Sequence, residues 1–126
     1  MTAARRPGPE RWQVDAGEAD IAVLTVPPVL RRERLFDLDL QFRVKLPAAD
    51  APPGEPWLAV TLEIDGRREW TRRIEARGPG DTDVLDFHCR RALPAGRALR
   101  LRAMTQVGGG ARRQRLVLSA EAAGDD

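Results

Sequence analysis

Cysteine is almost missing from this chain, and the one present, Cys89, has no second thiol to pair with, so no internal disulfide staples the fold. Histidine is equally scarce. One His (His88) and one Cys cannot build the usual zinc ligand sets unless a second chain contributes. Ser119 is the only serine and lies in no nucleophile motif, and asparagine and tyrosine are absent. Apolar stretches run only a few residues, far short of the roughly 20 that a membrane-spanning helix needs. Arg5 and Arg6 near the start have no apolar stretch behind them, so no secretory signal is expected. With a lone thiol, this makes the cytoplasm the expected compartment.

What is present describes one folded domain. The chain has 126 residues, 42% apolar and 32% charged, too hydrophobic and too evenly charged for disorder. A chain of this size buries roughly two-thirds of its unfolded surface, enough for one core. Of 21 basic residues all but Lys45 are arginine, yet the net charge is only +2. Residues 1–63 carry 8 basic and 10 acidic groups, residues 64–126 carry 13 and 9, and neither half is a concentrated basic face. Residues 1–10 are expected to form a flexible arm, residues 11–120 the domain, and residues 121–126 an acidic flexible tail.

The hydrophobic period is two throughout. In residues 35–46, Phe36, Leu38, Leu40, Phe42, Val44 and Leu46 share one face, while Asp37, Asp39, Gln41, Arg43 and Lys45 share the other. Twelve strand residues span about 40 Å, longer than usual, so a bend, a bulge or a role in both sheets is expected. Residues 57–64 repeat the pattern with Leu58, Val60, Leu62 and Ile64 inward, and Asp65-Gly66 signals a hairpin. A two-residue turn would put the polar set of the next strand inside. A bulged turn over Ile64, Asp65 and Gly66 instead faces Val60 with Trp70 and Leu58 with Arg72, with Ile74 and Ala76 also inward. Leu85, Phe87 and Cys89, then Leu99, Leu101 and Ala103, then Leu116, Leu118 and Ala120 mark three more strands; residues 21–26 and 12–15 read as shorter ones. Gly108-Gly109-Gly110 reads as a loose hairpin tip. The class is all-β, an antiparallel β-sandwich of seven or eight strands joined mostly as sequential hairpins, with immunoglobulin-like and jelly-roll topologies both open.

Candidate chemistry is thin. His88 and Cys89 are neighbours on a strand, so they point to opposite faces and cannot form a nucleophile dyad. Asp37 and Asp39 share their face with Arg43 and Lys45, a solvated surface rather than a cleft that would split two carboxyl pKa values. Asp81 and Asp83 are the weak candidates for a calcium site, against a role in capping their own turn. Arg67, Arg73, Arg100, Arg102, Arg112, Arg113 and Arg115 could form a stripe, but Glu63, Glu69 and Glu75 are interleaved with them and aromatic stacking residues are few. Nucleic acid is therefore disfavoured as a partner. Trp70 reads as core, whereas Trp57 and Trp12 are the candidate ligand-binding residues, large flat surfaces for a sugar ring or a partner's side chain.

The expected function is a non-catalytic protein-interaction or assembly module without cofactors. Its partner would be another protein or a second copy, docked by strand addition to a sheet edge. The alternative is a carbohydrate- or small-ligand-binding sandwich using Trp57 and Trp12, with Ca²⁺ at Asp81 and Asp83.

Overall fold

Eight strands form the framework of the computed structural model, which describes residues 10–48, 55–76 and 81–123. They are β1 (Arg11–Asp15), β2 (Ile21–Val26), β3 (Arg34–Lys45), β4 (Trp57–Ile64), β5 (Arg67–Glu75), β6 (Thr82–Leu93), β7 (Leu99–Gly108) and β8 (Arg112–Ala122). One antiparallel sheet has the order β1-β8-β3-β6 and the other β2-β7-β4-β5. No helix forms among the described residues, so none is long and apolar enough to cross a membrane. The pairs are nested, β1 with β8, β2 with β7, β3 with β6 and β4 with β5, as in one long hairpin rolled up on itself. That is the jelly-roll order of a β-sandwich.

The nesting corrects the expected connectivity. Only β4 and β5 are joined as a hairpin within a sheet; every other connection crosses from one sheet to the other. Gly108, Gly109 and Gly110 therefore form a crossing rather than a loose tip. A Cβ on Gly109, at φ +64°, would meet the Glu55 carbonyl oxygen, and a Cβ on Gly108 would meet the indole of Trp57. The run is glycine because backbone and ring approach it closely.

The core follows the two-residue period. Phe36, Leu38, Leu40, Phe42 and Val44 of β3 are all at most 2% exposed and share one core with Leu116 and Leu118 of the same sheet and Leu58, Leu62 and Leu101 of the other. Each such side chain contributes roughly 2–3 kcal/mol on burial. β3 stays in one sheet and needs no bulge of its own. The register break lies opposite Arg43 and Val44 on β8, where Gln114 is the extra residue. This bulge turns Arg113 inward, and its guanidinium bridges the sheets by donating to Oγ1 and the carbonyl oxygen of Thr105, each at 2.9 Å. Thr105 Oγ1 passes the connection on to the Asp20 carbonyl at 2.9 Å. Arg113→Ala is expected to cost about 1–2 kcal/mol, read as a lower urea midpoint, with Arg113→Lys recovering little because one ammonium cannot reproduce the fork.

The β4–β5 hairpin solves its parity differently from the expected bulged turn. Asp65 (φ 52°) and Gly66 (φ 81°) form a two-residue turn, and the extra residue is Glu69, the third of β5. Trp70 thus lies opposite Leu62, Arg72 opposite Val60 and Ile74 opposite Leu58. The inward set is the expected one, shifted by two residues along β4. At the chain ends, Glu10 is held in place, and β8 continues through Glu121 and Ala122, which the expected tail had included. The rest of the expected arm and residues 124–126 of the tail lie outside the described residues.

Candidate functional site

The two candidate tryptophans do not share a surface. Trp12 sits in β1 opposite the buried Ala120, so it faces inward and packs against the core. Its indole N–H donates to Glu10 Oε2 at 2.7 Å. Trp57 is on the outer face of the other sheet, half-buried, with its ring lying against Gly108 and Arg73 stacked over it at 3.9 Å from the ring centroid. Asp83 accepts the Val84 N–H on Oδ1 at 2.8 Å, and the Asp81 carbonyl accepts the Leu46 N–H at 2.7 Å, both local duties at the start of β6. No group of three or more His, Cys, Asp or Glu gathers among the described residues. The arginine stripe is divided: Arg73, Arg100 and Arg102 belong to one sheet's outer face, Arg112 and Arg115 to the other's, and Arg113 lies between the sheets.

His88 and Cys89 lie on opposite sides of β6. His88 is exposed, with Nδ1 3.0 Å from Asp39 Oδ1. Cys89 faces inward, half-buried, and burial pushes its thiol up from the usual range, away from reactivity. Across the outer face runs a row that the sequence alone does not reveal: Ser119 opposite Asp39, and Asp39 opposite His88. It brings the only serine and the only histidine within two strands of each other. Asp39 stands between them, however, so the imidazole is separated from the hydroxyl by about 10 Å of sheet and cannot act as its base. The same face carries an ion pair of Asp37 with Arg90 at 2.8 Å, and the hydrogen bond from Arg90 holds the Asp37 carboxyl below its usual range. This is a solvated ladder of cross-strand pairs.

The feature that stands apart is one lateral side of the sandwich. On the β1 and β2 side the edge strands are short, and the Ala16-Gly17 crossing bonds to both backbone groups of Leu116. On the other side the edges are β5 and β6, of nine and twelve residues. The bulge at Glu69 interrupts β5. β6 pairs with β3 over all twelve positions without a register break, and among the described residues no strand pairs with its other edge. Leu85 and Leu93 near the ends of β6 are buried, but the inward residues between them and on β5 are only half-buried: Trp70 and Ile74 on β5, Phe87, Cys89 and Arg91 on β6. Trp70 and Phe87 stack with centroids 4.7 Å apart and planes 25° from parallel, closing part of the gap between the sheets. Arg91 pairs with Glu69 beside them. An open groove of about 420 Å³ wraps around the β6 edge, touching Leu85 and Phe87 on its inner side and Asp86 and His88 on its outer side.

No family model matches the chain, and comparison with curated proteins finds no match. Among solved structures, dimeric latent PorU from Porphyromonas gingivalis is similar over 96% of this chain and 13% of its own, at a TM-score of 0.47 and 9% identity. The chain thus spans a small part of that protein's length.

Proposed function

We propose that this chain is a non-catalytic interaction module that takes a partner's extended strand along the free edge of β6. The observation that supports it is the edge itself: twelve residues without a register break, paired to no strand on their free side among the described residues, next to a half-exposed aromatic stack. Backbone N–H and C=O groups along such an edge supply affinity, and the groove beside Phe87 supplies a seat for an apolar side chain of the added strand. A cytoplasmic setting goes with this reading, because the lone thiol has no bridge to make. The carbohydrate reading is weaker, since Arg73 already occupies a face of the Trp57 ring and Trp12 faces inward.

Display of random extended peptides against the whole chain tests the proposal. Selection is expected to enrich sequences with apolar residues at every second position, and the bound peptide should slow amide hydrogen exchange in residues 82–93 while leaving β1 and β2 unchanged. No enrichment over background, or protection that maps to another strand, would overturn it.

A further inference from the structure

Edge strands that accept a partner are often self-complementary, and the side chains of β6 allow the question to be asked residue by residue. An antiparallel pair related by a two-fold axis places residue i against a residue j of the copy with i + j constant and even, so that inner faces meet inner faces. Each choice of centre therefore predicts a definite set of opposed side chains.

Centred on Asp86 or Arg90, the strand sets that residue against its own like charge. Centred on Cys89, it opposes His88 to Arg90 and Phe87 to Arg91. Centred on His88, it sets Asp86 against Arg90 but opposes His88 to itself and leaves Asp83 and Arg91 each facing a leucine. One centre, Phe87, has a single such mismatch, Arg90 facing Val84 on the outer side. It overlaps residues 82–92 of both copies, nearly the whole strand. On the inner side Phe87 meets Phe87 of the copy, Leu85 meets Cys89, and Asp83 meets Arg91. On the outer side Asp86 meets His88. Asp83 and Arg91 share the inner parity of β6, opposite Val44 and Phe36 of β3. Asp86 has no ion-pair partner among the described residues, and the copy's His88 would set an imidazole against it. The half-exposed apolar strip of Trp70, Phe87 and Cys89 would be covered by its own counterpart.

We infer that the strand added to β6 is β6 of a second copy, paired antiparallel about a two-fold axis at Phe87 into a continuous eight-stranded sheet. This rests on the interaction-module reading and names its partner. The pairing pattern carries the register: Asp83 meets Arg91 twice, Asp86 meets the His88 imidazole twice and no like charges meet, with an aromatic pair on the axis.

Two measurements test it on the full chain. Sedimentation over a concentration series is expected to show a monomer–dimer equilibrium, weakened about tenfold or more by Asp86→Arg, which removes the carboxylate facing His88 of the copy and puts a bulky cation in its place at an exposed position. In a Cys89→Ala background, chains carrying Asp86→Cys are mixed with chains carrying His88→Cys under mild oxidation. Directly opposed positions have Cα atoms about 4.5–5.5 Å apart, within disulfide reach, whereas diagonal ones, at about 7–8 Å, are not. A disulfide-linked dimer is expected from the mixture and not from either variant alone. Cross-linking of one variant with itself, or none in the mixture, overturns the register. A monomer at every concentration overturns self-pairing, and if selected peptides still protect residues 82–93 the interaction-module reading survives it. Failure of both removes the module reading as well.

Discussion

Gly109→Ala is expected to destabilise the fold by about 3 kcal/mol or more, a fall in melting temperature of roughly 10 °C. Two costs combine. The residue sits at φ +64°, where a Cβ costs about 1–2 kcal/mol by itself. That Cβ would also lie 2.0 Å from the Glu55 carbonyl oxygen and 2.7 Å from Pro56 Cα, and backbone cannot rotate away as a flexible side chain can. The crossing from β7 to β8 and the start of β4 would have to separate, loosening the end of the sandwich where Trp57 rests on Gly108. Gly17→Ala is the control. Its φ is also positive, at +57°, but a Cβ there meets nothing within 4 Å, so only the conformational cost of about 1 kcal/mol is expected. Thermal unfolding of the two variants beside the wild type checks this; equal losses would show that the close approach contributes nothing.

This glycine run shows where sequence reasoning stops. Three glycines in a row announce that no side chain is wanted there, but not whether the reason is a flexible tip or a crowded crossing. The strand faces were more legible, since Phe36, Leu38, Leu40, Phe42 and Val44 are buried as their alternation requires. A period of two says which face of a strand is wet, yet says nothing of which sheet the strand joins, and for that reason the nested jelly-roll order was not readable. The β4–β5 turn is a similar case. Parity required one extra residue between Ile64 and Trp70, and either a three-residue loop or a bulge at Glu69 supplies it; hydrophobic pattern cannot choose between them. The candidate site was hidden for the same reason. β6 alternates much as β3 does, with Leu85, Phe87 and Cys89 inward, and only its terminal place in the sheet order leaves Phe87 half-exposed and one edge unpaired. Trp12 was obscured by its short strand: inward or outward is a choice of one residue in five, and it is settled by pairing with Ala120 far along the chain.

The second large effect is expected at Arg34, one of the few charged residues in the interior. Its side chain is 4% exposed, packed over the Phe36 ring at 5.2 Å, and donates to Glu10 Oε2 at 2.6 Å and to the Pro27 carbonyl at 2.7 Å. Glu10 Oε2 also accepts the Trp12 indole N–H, and the Glu10 carbonyl accepts the Ala122 N–H, so the one cation ties the start of β1 to the end of β2 and the end of β8. Arg34→Ala leaves the Glu10 carboxylate without its cation and opens a cavity beside Phe36, a loss of about 3 kcal/mol in denaturant unfolding. Arg34→Met refills the volume and is expected to recover about half of that. A pH series separates the charge from the packing. Burial pushes the Glu10 carboxyl up, but the hydrogen bonds from Trp12 and Arg34 outweigh it and hold the group below its ordinary value. A folded value below the unfolded one means that the pair stabilises the fold above the usual carboxylate range and loses that contribution as pH falls through the folded value. Asp15 and Asp37 are shifted in the same direction by their arginine partners and, for Asp15, first by the Gly17 N–H, so acid weakens the wild type through several groups. The difference between wild type and Glu10→Gln isolates one of them. The stability gap should be full near neutral pH and close as pH falls below the ordinary glutamate value and through the lower folded one. A gap that stays constant through that window would assign the role of Glu10 to packing and hydrogen bonding alone, and Arg34 would then be holding the strand ends together without help from charge.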